Sequence, residues 1–565
     1  MNIKLKVFSS LMFFGFFLSS IFAWSQSDPS GERRVTGTYA IKGATITTSP
    51  GKTVSGATII IKNGLIEEVG TNVKIPVEAQ VIEADSLFIY AGFIDGASNA
   101  GVAKPTDPER PSNFDPSNPP DEIAGITPWR NVLDNFDFKN GQVSDLRKSG
   151  FTVAQIIPDG GMLPGKSAIV VLGGNASTNI IGQNAALTAK LSISRGGRGM
   201  YPGTQLGIMA KFRDLYKNAE YSAQHKRLFA ANSGLTRPEV NKTLEAFYPA
   251  IDKSIPIMFE VSNDLEIRRA LSLQKENGFR LVLVGVTEAD MVINEIKATN
   301  TQVLLSMKLP EDKITKAKIE DLSEEMKART IRAQEAYKNS LKQAGLLEKA
   351  GIPFGFTSID GKTSDLPKNL KLMIENGLSE NAALAALTTN PANILGISKF
   401  AGTIEKGKLA NMVIFNGPMF NEDSKIKHVI ADGYIFDYEI KEKKASNGNG
   451  KNGTADIAGE WEYTSDTPAG SSGGTMIITK EGETLKGTIT YDNPSGNGKA
   501  SSEMKNISIS GNYMTFSFDV AAGGMALVVS VSGDVDENKF SGNMSLADFG
   551  SFPLNASKKP NQSTR

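Results

Sequence analysis

Three carboxylates stand where apolar, partly β-branched runs give way to polar text: Glu260 in the run 255–261, Glu288 just past 280–286, and Asp360 just past 352–358. Carboxylates can do general acid and base work when their surroundings separate their pKa values. They can also hold a hard, oxygen-loving cation such as Mg²⁺ or Ca²⁺. The competing reading is that acids near loops are solvated or cap helices, and convergence in space separates the two. Other chemistries are closed. The chain has no cysteine, which removes thiol catalysis, disulfides and a lipoprotein anchor. Its two histidines, His225 and His428, lie 203 residues apart, so no His-x-His pair exists in any alignment. His225 falls in polar helical text (221–228) and reads as a surface residue, while His428 precedes Val429-Ile430 in strand text. Arg195-Gly196-Gly197-Arg198-Gly199 has the backbone and charge to cradle an anion, against an ordinary loop, and no P-loop lysine follows it.

The elements that must carry these residues alternate between strand and helix. Buried-strand candidates are 151–158, 167–172, 255–261, 280–286, 302–309 and 352–358. Helical text lies at 264–277, 289–298, 315–350 and 379–387, with Ser379-Glu380 and Thr363-Ser364-Asp365 available as starts. Such alternation is the pattern of βα units around a parallel sheet. It is flanked by short strands with tight turns from about residue 38 to 94, among them the hairpin signal Asn63-Gly64. The stretch 104–121 carries six prolines and no apolar period and is expected to be a long loop after the first strand of the alternating region.

The stretch Tyr90-Ala91-Gly92-Phe93-Ile94-Asp95-Gly96-Ala97-Ser98-Asn99 resembles the point where amidohydrolase-superfamily proteins enter their barrel, usually P-G-F-I-D-x-H-x-H. Gly125-Ile126-Thr127-Pro128-Trp129-Arg130-Asn131, Gly150-Phe151-Thr152-Val153-Ala154-Gln155 and Gly165-Lys166-Ser167-Ala168 are similar to the imidazolonepropionase-like branch. The resemblance spans roughly residues 38–437. It implies a (β/α)8 TIM-like barrel with a small β-sandwich assembled from both sides of the barrel text, and a strand-loop signature at 402–415, where Asn411 stands in place of the usual aspartate. It also implies hydrolysis of non-peptide C–N bonds through zinc or another divalent metal, held by a His-x-His pair, a mid-barrel lysine or glutamate, two further histidines and an aspartate. Here Ala97 and Asn99 occupy the first pair, Glu260 stands at the strand-five histidine, and 284–289, which includes Thr287, has none. Ser358 replaces the aspartate, with Asp360 two residues on. The expectation is a metal-free barrel with no cofactor. Ala97, Asn99, Thr287 and Ser358 are the candidate substrate-binding residues, and Glu260, Glu288 and Asp360 the candidate catalytic ones.

Lys plus Arg and Asp plus Glu both number 61, which gives no electrostatic case for nucleic acid or an anionic membrane. A small molecule or a paralogous amidohydrolase is the expected partner. Lys4 and Lys6, an apolar run and Ala23-Trp24-Ser25 make a secretory signal peptide over 1–25, so the expected location is periplasmic or extracellular, with no membrane span after cleavage. The domains follow as a discontinuous β-sandwich (26–94 and 402–440), a barrel (95–401), a Gly/Asn-rich linker (441–455) and an all-β meander (456–560). The meander reads as an up-and-down barrel or a sandwich, loosely similar to a lipocalin-type barrel. Two functions compete: a degenerate enzyme that binds a ligand or an enzymatic paralogue, and an active hydrolase working through mouth carboxylates or an atypical metal site.

Overall fold

In the computed structural model the described residues are 33–34, 37–438 and 456–559, apart from short internal stretches of which the longest are 192–199 and 313–322. The signal peptide, the linker and the loop 195–199 lie outside them. The chain divides into two compact units, residues 1–440 and 441–565. Among the described residues no helix is long and apolar enough to cross a membrane.

The first unit opens with strands β1 (Arg33–Arg34), β2 (Thr38–Ser49), β3 (Lys52–Lys62), β4 (Leu65–Gly70), β5 (Gln80–Glu83) and β6 (Phe88–Ala91). β2 and β3 pair antiparallel, with three register shifts along β2. On its other edge β2 pairs first with β5 through Tyr39–Lys42 and then with β6 through Thr45–Thr47. Gly43, at φ +84°, sits at the change of partner, and a Cβ there would collide with the Asp85 carboxylate. A residue with a side chain would be strained at that φ and would have to displace the exposed Asp85 carboxylate.

The middle of the unit alternates strands and helices. In chain order these are β7 (Phe93–Ser98), α1 (Gly141–Lys148), β8 (Phe151–Ile156), β9 (Gly165–Lys166), β10 (Ala168–Val171), β11 (Ile180–Gly182), β12 (Leu187–Lys190), α2 (Gln205–Ala231), α3 (Lys242–Glu245), α4 (Tyr248–Ile251), β13 (Ile257–Glu260) and α5 (Asp264–Asn277). β14 (Leu281–Val286), α6 (Ile293–Thr299), β15 (Gln302–Ser306), α7 (Glu324–Lys349), β16 (Phe354–Thr357), α8 (Leu366–Glu375), α9 (Glu380–Leu387) and α10 (Thr389–Ile394) follow. The expected helix over 264–277 forms with those bounds, capped by the Asn263 side chain on the Glu266 amide and closed by Gly278 in the left-handed region. The helix expected over 289–298 starts later, because a 3₁₀ turn at Asp290–Val292 precedes α6.

The ladders in this region form two sheets: β11-β10-β8-β7, and β16-β15-β14-β13-β12-β9. β12 to β16 run parallel to one another, and β7 runs parallel to β8. The run expected at 167–172 forms, but as a strand antiparallel to β8. The reason lies just before it, where β9 pairs antiparallel with β12 and the segment bridges the two sheets instead of contributing a βα unit. A ring of phenyl groups, Phe212, Phe247, Phe259 and Phe279 with Tyr216, packs α2 against β13 from the helix side. α2 was legible in the sequence only as the short polar stretch 221–228.

The chain then returns through β17 (Met412–Phe415), β18 (Ile426–Ala431) and β19 (Tyr434–Asp437). β17 pairs antiparallel with β6, so segments more than three hundred residues apart complete one nine-stranded sheet in the order β1-β19-β18-β17-β6-β2-β3-β4, with β5 on β2. The discontinuous domain is therefore one continuous hydrogen-bonded sheet around its own isoleucine-rich core, including Ile41, Ile59, Ile89, Met412 and Ile430. The bulges in β2 and its switch of partner keep the ladder continuous.

The second unit is a closed antiparallel barrel of eight strands: β20 (Gly459–Thr467), β21 (Gly470–Glu481), β22 (Thr484–Asp492), β23 (Lys499–Ser510), β24 (Tyr513–Ala522), β25 (Met525–Asp536), β26 (Lys539–Leu546) and β27 (Gly550–Lys558). β20 pairs with β27 to close it. Its interior holds Trp461, Met476, Met514, Phe516, Phe518 and Phe540, all buried, and the Trp461 indole donates to the Ile457 carbonyl at 3.0 Å. Side chains fill a barrel of this size.

Candidate binding site at the strand ends

β13 to β16 run in parallel register, Glu260 opposite Val284, Val284 opposite Leu304 and Leu304 opposite Gly355, so their carboxyl ends share one side. One extra residue in β14, Gly285 at φ +79°, makes a bulge against β15. Beyond it the Thr287 and Glu288 amides both donate to the Ser262 carbonyl, at 3.0 and 3.1 Å, which draws the ends of β13 and β14 together. From the helix side, the buried Gln343 of α7 accepts from the Ala289 and Asp290 amides at 2.6 and 3.1 Å. Two donors at the start of a helical turn are thereby satisfied by a helix remote in sequence.

These ends enclose a cleft of about 960 Å³, with Ser306, Lys308 and Ile359 on its strand side and Tyr337 and Gln343 on α7. Its lining includes seven carboxylates, Glu260, Asp264, Glu266, Glu288, Asp290, Asp312 and Asp360, and one lysine. Glu266 is occupied structurally, accepting from the Ser262 amide and hydroxyl at 2.9 and 3.1 Å. The Glu288 carboxyl is raised above its usual range by burial and then by Asp264 and Asp290.

Four candidates from the sequence, Glu260, Thr287, Glu288 and Asp360, line this cleft. Glu260 faces a partner that the sequence reading missed. The Lys190 ammonium at the end of β12 lies 2.9 Å from Glu260 and 3.1 Å from Asp159, with only 12% of its side chain exposed. Burial opposes the lysine's charge, but Glu260 and then Asp159 outweigh it and its pKa is raised. Burial pushes the Glu260 carboxyl up, against the pull of Lys190, and Asp360 pushes the same way from across the cleft. Lys190 was not legible because Ala185-Ala186-Leu187-Thr188-Ala189-Lys190-Leu191 is rich in helix formers. Pairing with β13 imposes a strand on it.

The other three candidates are corrected. Ala97 is fully buried in an apolar cluster with Ile157, Met258, Val284, Leu304 and Ile359, because its side chain points into the core between the sheets. Asn99 is exposed and outside the cleft. Ser358 is buried, its hydroxyl 2.9 Å from that of Ser98. With Asp95 it forms a bolt between the first and last strands of the alternating region. The Ser358 and Ala97 amides donate to Asp95 Oδ1 at 3.0 and 3.3 Å, and Thr357 donates to the Ala97 carbonyl. Burial pushes the Asp95 carboxyl up to about 7, although Ser358, Ala97 and Ser98 pull it down. The aspartate of the Gly92-Phe93-Ile94-Asp95 frame thus has a structural task that does not need a metal.

Neither histidine approaches the cleft. His225 bonds the Thr236 carbonyl at 3.0 Å, and His428 pairs with Asp437 at 2.8 Å across the β18–β19 ladder. Asn411, which replaces the usual aspartate, accepts from the Asp432 amide at 3.1 Å, and its carbonyl accepts from Gly92 at 2.9 Å, which fixes the turn into β7. The branch-specific motifs join β8 to the β9–β10 segment: Gln155 donates to Ser167 at 2.7 Å, and the Thr127 hydroxyl donates to the Pro164 carbonyl at 3.1 Å.

The residues present do not fit the divalent-metal centre that the resemblance implies. The first ligand position lies in an apolar cluster, the second is solvent-exposed, and an ammonium ion stands between the carboxylates at the strand ends. Among the described residues no group of three His, Cys, Asp or Glu is placed to hold a metal ion.

Residues 281–436 match the model of the amidohydrolase family. No curated protein sequence matches the chain. Among solved structures, an amidohydrolase from Thermotoga maritima MSB8 shares 20% identity over 71% of this chain and 100% of its own, with a TM-score of 0.58. Molinate hydrolase (14% identity, 71% of this chain and 95% of that one, TM-score 0.42) and phenylurea hydrolase B (15%, 71% and 97%, TM-score 0.41) are more distant. Residues 281–436 therefore carry the match to the amidohydrolase family, the Gly92-Phe93-Ile94-Asp95 motif resembles its barrel entry, and the fold is shared with the Thermotoga amidohydrolase.

Proposed function

We propose that this is an exported member of the superfamily that has lost metal-dependent hydrolysis and binds a small, positively charged molecule in the cleft at its strand ends. The observation that carries the reading is the lining of that cleft: seven carboxylates against one lysine in about 960 Å³, with Glu260 already committed to Lys190. A concave site of this size with convergent polar groups suits a small ligand, and its sign selects cations. The alternating strands read best as one (β/α)8-derived barrel in which the β9–β10 segment takes one strand position antiparallel; the contacts of Asp95 and Thr357 across β7 and β16 support closure. Export rests on the charged, apolar and small-residue order of residues 1–25.

The test has two measurements on the mature protein. Elemental analysis after purification without chelator is expected to find less than about a tenth of a transition-metal ion per chain. Thermal unfolding with spermidine or arginine is expected to give a higher Tm, an effect absent with glutamate, weakened by salt, and reduced in Glu288→Gln. About one or two tightly held ions per chain, with no response to either cation, would favour an active hydrolase with an atypical site. A Tm insensitive to both cations in a metal-free protein would favour a paralogous amidohydrolase as the partner.

A further inference from the structure

The Asp159–Lys190–Glu260 cluster sits where the carboxyl ends of β12 and β13 meet, and the cleft uses only one of its three members. Two features set it apart from the surface ion pairs of the chain. Lys190 is 12% exposed and touches two carboxylates at once, whereas pairs such as Lys42 with Glu83 are more than half exposed on both sides. Its two oxygens approach one nitrogen at 2.9 and 3.1 Å from different elements, Glu260 on β13 and Asp159 in the loop after β8. These are ion-pair distances, with one ammonium shared between two acids from different elements. Asp360 adds negative charge from the end of β16.

We propose that Lys190 is the resident cation of this mouth: its ammonium occupies the position a divalent ion would take between Asp159 and Glu260, so the site is charge-neutralised without metal and closed to one. The inference rests on the metal-free reading of the same mouth. It adds a specific cause, and the consequence that removing the ammonium exposes a carboxylate site for a hard divalent cation. An ammonium and a divalent ion cannot share this space, since the ion would need the same oxygens and would repel the lysine. Removing the lysine alone leaves Glu260 without its paired ammonium and Asp159 with Lys104 as its remaining positive neighbour, which destabilises the mouth chiefly through the more buried Glu260 unless another cation enters.

The experiment compares the full mature chain with Lys190→Ala, Lys190→Arg, Glu260→Gln and the double variant Lys190→Ala/Glu260→Gln, using MnCl2 as the probe in calorimetric titration and thermal unfolding. Wild type and Lys190→Arg are expected to show no binding heat and no Tm change. Lys190→Ala is expected to melt roughly 5 °C lower, to bind about one Mn²⁺ per chain and to recover most of the loss at saturating metal. The double variant is expected to lose the Mn²⁺ response. Stoichiometric Mn²⁺ binding by wild type that Glu260→Gln abolishes would overturn both the inference and the metal-free reading. A folded Lys190→Ala protein without Mn²⁺ response, beside a metal-free wild type, would overturn the inference alone. Should Lys190→Ala fold only with MnCl2 present, or fold only when Glu260→Gln is added, the neutralising role stands; failure in both circumstances would make Lys190 a packing residue and overturn it.

Discussion

At the scale of single residues, the chain separates two things that superfamily motifs usually carry together, a strand position and a ligand. Asp95 keeps the position and spends its carboxylate on backbone amides of Ser358 and Ala97. Because burial raises its pKa to about 7, against about 3.9 for an unfolded aspartate, the folded state binds the proton more tightly than the unfolded one. Its contribution to stability is present in full below about pH 4 and is lost as pH rises through about 7. Asp95→Asn retains the accepting oxygen and removes the titration, so the urea midpoint should fall less between pH 5 and pH 8 in the variant than in wild type. The difference should correspond to a few kcal/mol, on the order of the shift. Equal slopes in the two proteins would show that Asp95 is already ionised in the fold.

At the scale of elements, the cleft depends on contacts between pieces that no local pattern connects. Gln343 belongs to α7, yet its side chain caps the turn at Ala289 and Asp290. Gln343→Leu should cost about 2–3 kcal/mol through two amides left without an acceptor, read as a lower denaturant midpoint, with weaker binding in the cleft it lines. An unchanged midpoint would mean that water replaces the side chain. The helix 264–277 was legible with its bounds because its caps and apolar period are local. The strand at Leu187–Lys190 was not, because a four-residue stretch within text rich in helix formers becomes a strand through its pairing with β13 and β9. The orientation of β10 was equally invisible, since an antiparallel strand and a parallel one share the same apolar composition.

For the molecule as a whole, the two units carry separate cores and separate ladders. Expressed alone, residues 456–565 should therefore fold cooperatively. Trp461, the only tryptophan of that fragment, would report it through blue-shifted emission lost in one transition. Red-shifted emission in buffer would show that the barrel needs the rest of the chain.

By itself the sequence carried the resemblance to the amidohydrolase superfamily and, through it, the expectation of a discontinuous β domain; the all-β meander follows from alternation and the lack of a His-x-His pair from composition. Only the tertiary structure decided which candidates share a site. It brought Glu260, Thr287, Glu288 and Asp360 to one cleft, put Ala97 and Ser358 in the core, and set Lys190 between two carboxylates. The physical reason is that side-chain direction at a strand end depends on register, bulges and the neighbouring strand, while charge pairing depends on distances of about 3 Å between residues whose separation along the chain carries no such information.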